Sequence, residues 1–176
     1  AHHHTQCELS VFLKGEGIYT VGKKKYKFRA GDVFLFGSDE EHCITEIYED
    51  MELLNLQFEP YVLWESSDTM ELISLFHSRN AEFVNLYKDK DGAVRTALLA
   101  IEDELCERHP CFFVMVKYLL FSALSSIMRN HPGIECQKSI KATDNLTQSI
   151  KLAIDYIQSN FERRLTLEEI ARVACL

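Results

Sequence analysis

The sequence predicts a fold that is mainly β with added α: a small antiparallel barrel over residues 1–66, followed by helices. Two observations lead there. Between Cys7 and Pro60 the chain reads as short runs rich in β-branched and aromatic residues, CELSVFLKG, GIYTV, KYKFR, DVFLFG, HCITEI and ELLNLQF, parted by turn formers. After Ser66 the apolar residues recur at helical spacing instead.

Gly15, Gly17, Gly22 and the Ala30-Gly31 pair supply tight turns. Neighbouring strands should therefore pair antiparallel, and closure into a barrel removes exposed edges. Tyr19, Tyr26, Phe28, Phe34, Phe36, Tyr48 and Trp64 are expected mostly in the core, with some available to stack on a sugar ring. Which of them face inward is left open, because a one-residue slip in register reverses every side chain.

Residues 67–130 are expected to form a helical hairpin. DGAVRTALLAIEDELCERH places Val94, Ala97, Leu98, Ile101 and Leu105 on one face. PCFFVMVKYLLFSALSSIMRN then opens with Pro110 in its first turn and is apolar nearly all round. Only Arg108-His109 joins the two, so they should fold back on each other. Such a pair serves either as a dimer seam, for which Val94, Leu98, Ile101, Leu105, Leu119 and Leu120 are candidates, or as a cover over the barrel's open side. Residues 131–145, HPGIECQKSIKATDN, hold no sustained period and read as a linker.

Over residues 146–176 the helical pattern returns, with Ile150, Ile154, Ile157 and Phe161 in register. Thr166 followed by Glu169 is a capping box that opens a second, shorter helix carrying Leu167, Ile170, Ala171 and Ala174 inward. The stretch IKLAIDYIQSNFERRLTLEEIARVACL resembles the opening of an AraC/XylS-type DNA-binding domain, a helix-turn-helix unit. The resemblance marks Thr166, Glu169, Ile170 and Ala171 as part of the first half of that motif. It implies a following turn and a base-reading helix; the expectation is of a longer protein cut before that helix, and of a fragment that binds DNA poorly.

The amino-terminal run AHHHTQCELSVFLKGEG resembles the first cupin motif through His2, His4, Glu8 and Gly15. Positions 2, 4 and 8 share one parity, so a strand would aim all three side chains to one face. GDVFLFGSDEEHCITE is similar to the second cupin motif, with His42 at its histidine, but has Gly37 where proline is usual, Asp39 where glycine is and Glu46 where asparagine is. His2, His4, Glu8 and His42 would make a sensible divalent-metal site for iron, manganese or zinc. Sensory domains of AraC-type regulators often keep such residues without metal, and then the polar row His2, His4, Gln6, Glu8, Ser10 would line an effector pocket instead.

The formal charge of -8, with acidic residues gathered from Asp39 to Leu53, confines any contact with a polyanion to a local surface. Six cysteines without a C-x-x-C pair indicate neither a zinc ribbon nor a disulfide framework, and fit a reducing cytoplasm. No leader is evident, apolar stretches are interrupted short of the ~20 residues of a membrane span, and no nucleophile elbow or phosphate loop occurs. The expected function is a cytoplasmic, dimeric, non-enzymatic transcriptional regulator that answers a small molecule such as a sugar and binds promoter DNA. The alternative, a metal-dependent cupin enzyme of isomerase or dioxygenase type, leaves residues 150–176 without a role.

Overall fold

The computed structural model describes residues 4–76, 83–131 and 141–175. Strands β1 (Cys7–Lys14), β2 (Glu16–Val21), β3 (Lys24–Arg29), β4 (Asp32–Phe36), β5 (His42–Ile47), β6 (Glu52–Phe58) and β7 (Leu86–Lys88) form two antiparallel sheets. One has the order β6-β1-β4-β7 and the other β3-β2-β5. Gly15, with φ +94, lets the chain turn from β1 into β2.

Strand β1 is buried on both sides, which explains its nearly continuous apolar run. Cys7, Leu9 and Val11 join Val33 and Leu35 of β4 in a core shared with the helices. The alternate residue Phe12 instead meets Tyr19, Val21, Phe28, Phe34 and Phe36 in a second core within the barrel. There the rings of Phe12 and Phe28 stack at 3.8 Å, and Phe34 and Phe36 at 6.0 Å. The aromatic expectation holds for Tyr19, Phe28, Phe34 and Phe36, whereas Tyr48 and Trp64 are exposed.

Five α-helices are described: α1 (Ser67–Met70), α2 (Ala93–Glu107), α3 (Phe112–Asn130), α4 (Lys141–Asn160) and α5 (Leu167–Val173). The start of α2 is capped by Asp89, whose carboxylate accepts from the backbone N–H groups of Val94 and Arg95 at 3.2 and 2.8 Å. Helices α2 and α3 pack together as the expected hairpin. Val94, Leu98, Ile101 and Leu120 are almost fully buried and pack in the core with Leu9, Val33 and Leu35, so they cannot form a dimer seam. Leu119 packs against that same core, and Leu105 alone of the six candidates is exposed. The apolar face left open belongs to α3: Phe113, Val114, Met115 and Tyr118.

Two boundaries differ from expectation. The span 67–130 is not all hairpin, because β7 completes the barrel sheet beside β4 before α2 begins. A three-residue strand is too short to leave a periodic signal. Helix α4 starts at Lys141, within the span read as linker; residues 132–140 lie outside the described ones. Among the described residues, α3 is long and apolar enough by length and composition to cross a membrane, contrary to the sequence reading. Here Leu120, Ala123, Leu124 and Ile127 of that helix lie in the protein core.

The capping box forms as read: Glu169 N–H donates to Thr166 Oγ1, and Thr166 N–H to Glu169 Oε2, both at 3.2 Å. Arg163 ties the two carboxy-terminal helices together, reaching Glu169 Oε2 at 3.3 Å and the Tyr156 hydroxyl at 2.6 Å. Ala174 is buried, Ile170 and Ala171 are half-buried, but Leu167 is exposed rather than inward.

Candidate effector or cation site in the barrel

Glu8 is fully buried at the polar end of the barrel interior. The register of β1 with β6 sets Glu8 opposite Gln57 and Ser10 opposite Asn55, so four polar side chains share one patch of sheet. Ser10 Oγ lies 2.7 Å from Glu8 Oε1, and Gln57 Nε2 donates to Glu8 Oε2 at 2.9 Å. Ser10 Oγ also makes a short contact with Asn55 Oδ1. Sequence reading missed Asn55 and Gln57, although the alternation N-x-Q within the apolar run of β6 was the available signal.

Two imidazoles close the cluster. His4, just ahead of β1, brings Nε2 to 2.7 Å from Glu8 Oε2, and His42 at the start of β5 brings Nε2 to 3.7 Å from the same oxygen. His42 lies flat against Phe36, with centroids 4.0 Å apart, and its ring meets that of His4 edge-on at 5.3 Å. His2 lies outside the described residues. Of the predicted set, then, the structure brings together His4, Glu8 and His42, while Thr166, Glu169, Ile170 and Ala171 sit apart on α5 and its cap, which packs against α4.

The other ring nitrogens decide the electrostatics. His4 Nδ1 is 2.9 Å from the Gln6 carbonyl and His42 Nδ1 is 2.7 Å from the Glu40 carbonyl. A carbonyl only accepts, so both Nδ1 atoms must carry hydrogen. In the neutral rings both Nε2 atoms then present lone pairs toward a carboxylate. Three electron-rich atoms within 4.8 Å of one another need a positive charge among them: an added proton on a ring, or a cation. Bond lengths of ~2.1 Å to a tetrahedral divalent ion would place ligand atoms about 3.4 Å apart. The observed 2.7 and 3.7 Å bracket that spacing, so the donor set fits such an ion.

The titrations follow from this arrangement. Burial pushes the Glu8 carboxyl up, but the adjacent His42 ring and hydrogen bonds with Ser10, Gln57 and His4 outweigh it and hold the value at about 2. For His42, burial opposes protonation, yet Glu8 and the Glu40 carbonyl raise it above the ordinary histidine value. The Tyr19 hydroxyl is raised by burial and by the Glu8 charge, and stays protonated.

Residues 1–56 match the family model described as a cupin domain. Over those residues the barrel is similar to a cupin domain. Curated relatives are the HTH-type transcriptional activator RhaR of Enterobacter sp. (strain 638), 27% identical over 104 residues, covering 58% of this chain and 36% of the relative. The RhaR of Escherichia coli is 25% identical over 131 residues, covering 74% and 46%. The chain thus resembles AraC-type regulators with a cupin-like amino-terminal domain, and spans less than half the length of these relatives. Solved structures that align with it include the AraC-like transcriptional activator CuxR, with TM-score 0.47, 12% identity and coverage of 98% of this chain and 58% of that one. An apo ToxT variant from Vibrio cholerae strain SCE256 aligns with TM-score 0.48 and 10% identity, covering 96% and 62%.

Departures of this cupin-like domain from the second motif have local causes. A Cβ on Gly37 would lie 2.3 Å from the Phe76 carbonyl oxygen, so no side chain, proline's included, fits there. Asp39 holds the positive φ of 60 that glycine would usually supply, a conformation aspartate tolerates better than most residues.

Proposed function

We propose that this chain is the sensory domain and the opening of the DNA-binding domain of a cytoplasmic transcriptional regulator. One observation carries the reading: a cupin-like domain with a buried charged cluster is followed on the same chain by α4 and a capping-box α5 stapled to it by Arg163. The likeness to transcriptional activators along 58–74% of the chain supports it. The regulator binds promoter DNA through its helix-turn-helix domain and a small-molecule effector through the barrel. Binding acts by favouring one arrangement of the two domains over the other. The effector is a sugar or related metabolite, received at the polar end of the barrel, since stacked phenylalanines fill the rest of the interior.

The regulator works as a homodimer. The exposed row Phe113, Val114, Met115 and Tyr118 of α3 supplies the seam in place of the buried residues first considered.

A second reading of the same site rests on the fixed Nδ1–H groups of His4 and His42. With those hydrogens placed, His4, Glu8 and His42 would hold a divalent cation, and the ion would supply charge balance and a Lewis-acidic point for an oxygen ligand. That reading serves a metal-requiring sensor as well as a cupin enzyme.

A thermal-shift panel of sugars and metabolites, followed by gel shift of the complete gene product on DNA upstream of its gene, tests the regulator. A stabilising ligand at about 100 times its dissociation constant adds about 2.7 kcal/mol. DNA binding that no stabilising ligand alters, or no DNA binding at all, ends the proposal.

A further inference from the structure

Asn85 belongs to no part of the site, yet it is a buried polar residue joined to three other segments at once, β3, β4 and the loop after β4. Its backbone carbonyl accepts from Leu35 N–H at 3.0 Å, and its Nδ2 donates to the Leu35 carbonyl and to Glu40 Oε1, each at 2.9 Å. Its Oδ1 accepts from the Tyr26 hydroxyl at 3.3 Å. One residue earlier, the Val84 carbonyl accepts from His131 Nε2 at 2.7 Å. His131 is buried where α3 ends, and its ring lies parallel to Phe83 at 5.1 Å.

Glu40 supplies the other end of the chain of contacts. Its carbonyl holds His42 Nδ1 at 2.7 Å, its Oε2 accepts from Gly37 N–H at 3.0 Å, and its Oε1 holds Asn85. A path therefore runs from Glu8 across the 3.7 Å contact to His42, by hydrogen bonds through Glu40 to Asn85, and along the Asn85–Val84 peptide bond to the carbonyl that His131 holds.

We propose that Glu40 and Asn85 are positioning residues that couple the charged cluster in the barrel to the His131 latch at the end of the hairpin. The inference rests on the reading of that cluster as the sensory site. A ligand that turns His42 or draws on Glu8 shifts the 40–42 segment, and the double grip of Glu40 on Gly37 and Asn85 transmits the shift to residues 83–85. His131 then keeps or loses its carbonyl and its ring partner. Past His131 the chain leads on toward α4 and α5, so the latch stands where a sensory event must pass to reach the DNA-binding portion. The coupling is reciprocal: a change at His131 must register at His42.

Both ring N–H groups are held by carbonyls, so histidine-labelled protein offers a direct reading by NMR. Glu8→Gln in the full chain is expected to move the His131 Nε2–H resonance, and His131→Phe, which keeps a ring at that place, is expected to move the His42 Nδ1–H resonance. Both responses should vanish in Asn85→Ala. His4→Asn at the rim of the cluster replaces Glu8→Gln should that variant not fold, and Glu40→Ala likewise replaces Asn85→Ala. Silent resonances in either direction overturn the proposal, and so do responses that persist once Asn85 or Glu40 is cut. The measurement needs neither DNA nor effector. Coupling in a protein that ignores DNA would sink the regulator and spare the relay; an effector-responsive regulator with silent histidines would do the reverse.

Discussion

The His42 imidazole lies 8° from parallel with the Phe36 ring, at 4.0 Å, while its Nδ1–H is held by the Glu40 carbonyl. A ring fixed in both plane and tautomer has one free choice, whether Nε2 is protonated beside Glu8. Because its folded pKa is raised, protonation stabilises the fold fully below the ordinary histidine value of 6.5, and that contribution is lost as pH rises through the folded value. Urea midpoints should fall from mildly acid to mildly alkaline pH in the wild type and fall less in His42→Asn. Parallel curves for the two proteins would contradict this.

Glu8 has the opposite sign. Its folded pKa of about 2 lies below the ordinary 4.5, so its contribution is complete above 4.5 and drains away between 4.5 and about 2. Glu8→Gln strands two imidazoles and should cost about 3 kcal/mol at neutral pH, as expected when one partner of a buried charge pair is removed. The variant's stability should also be flatter across the acid limb, as measured by chemical denaturation from pH 5 downward.

Added zinc, cobalt or nickel is expected to raise the melting temperature of chelator-treated protein, and His42→Asn should abolish the rise. Elemental analysis of untagged protein purified without chelator checks the same point; metal near zero together with no thermal response removes the cation reading.

On α3, Val114→Glu places a charge on the open face, and should leave the fold intact while converting dimer to monomer in sedimentation analysis. Leu98→Ala empties space in the core and should cost about 2–5 kcal/mol instead. A dimer unaffected by Val114→Glu places the seam elsewhere.

Gly37→Ala tests the crossing of Phe76 over the second cupin motif. A methyl 2.3 Å from a backbone oxygen forces the two segments apart, at a cost of about 1–3 kcal/mol. An unchanged melting temperature would show that the loop yields without penalty.

Much of this was legible in residues alone. Six of the strands follow runs whose composition and turns mark them, and the Thr166–Glu169 cap is a local motif read at fixed spacing. The parity of His4, Glu8 and Ser10 survives although β1 begins only at Cys7. What stayed hidden depends on pairing across the fold. Asn55 and Gln57 join Glu8 only through the β1–β6 register, and Val94 and Leu98 show one apolar stripe whether they face a barrel or a second subunit. His131 and Asn85 lie in segments without periodicity, where burial leaves no trace in sequence.

Strand β1 gives the lumen Glu8 and Ser10 and gives the helices Leu9 and Val11, with no spare layer between. It is a party wall. Whatever crowds or vacates the room on one side must lean on the furniture of the other, so a guest small enough to touch only Glu8 can still be felt by α2 and α3.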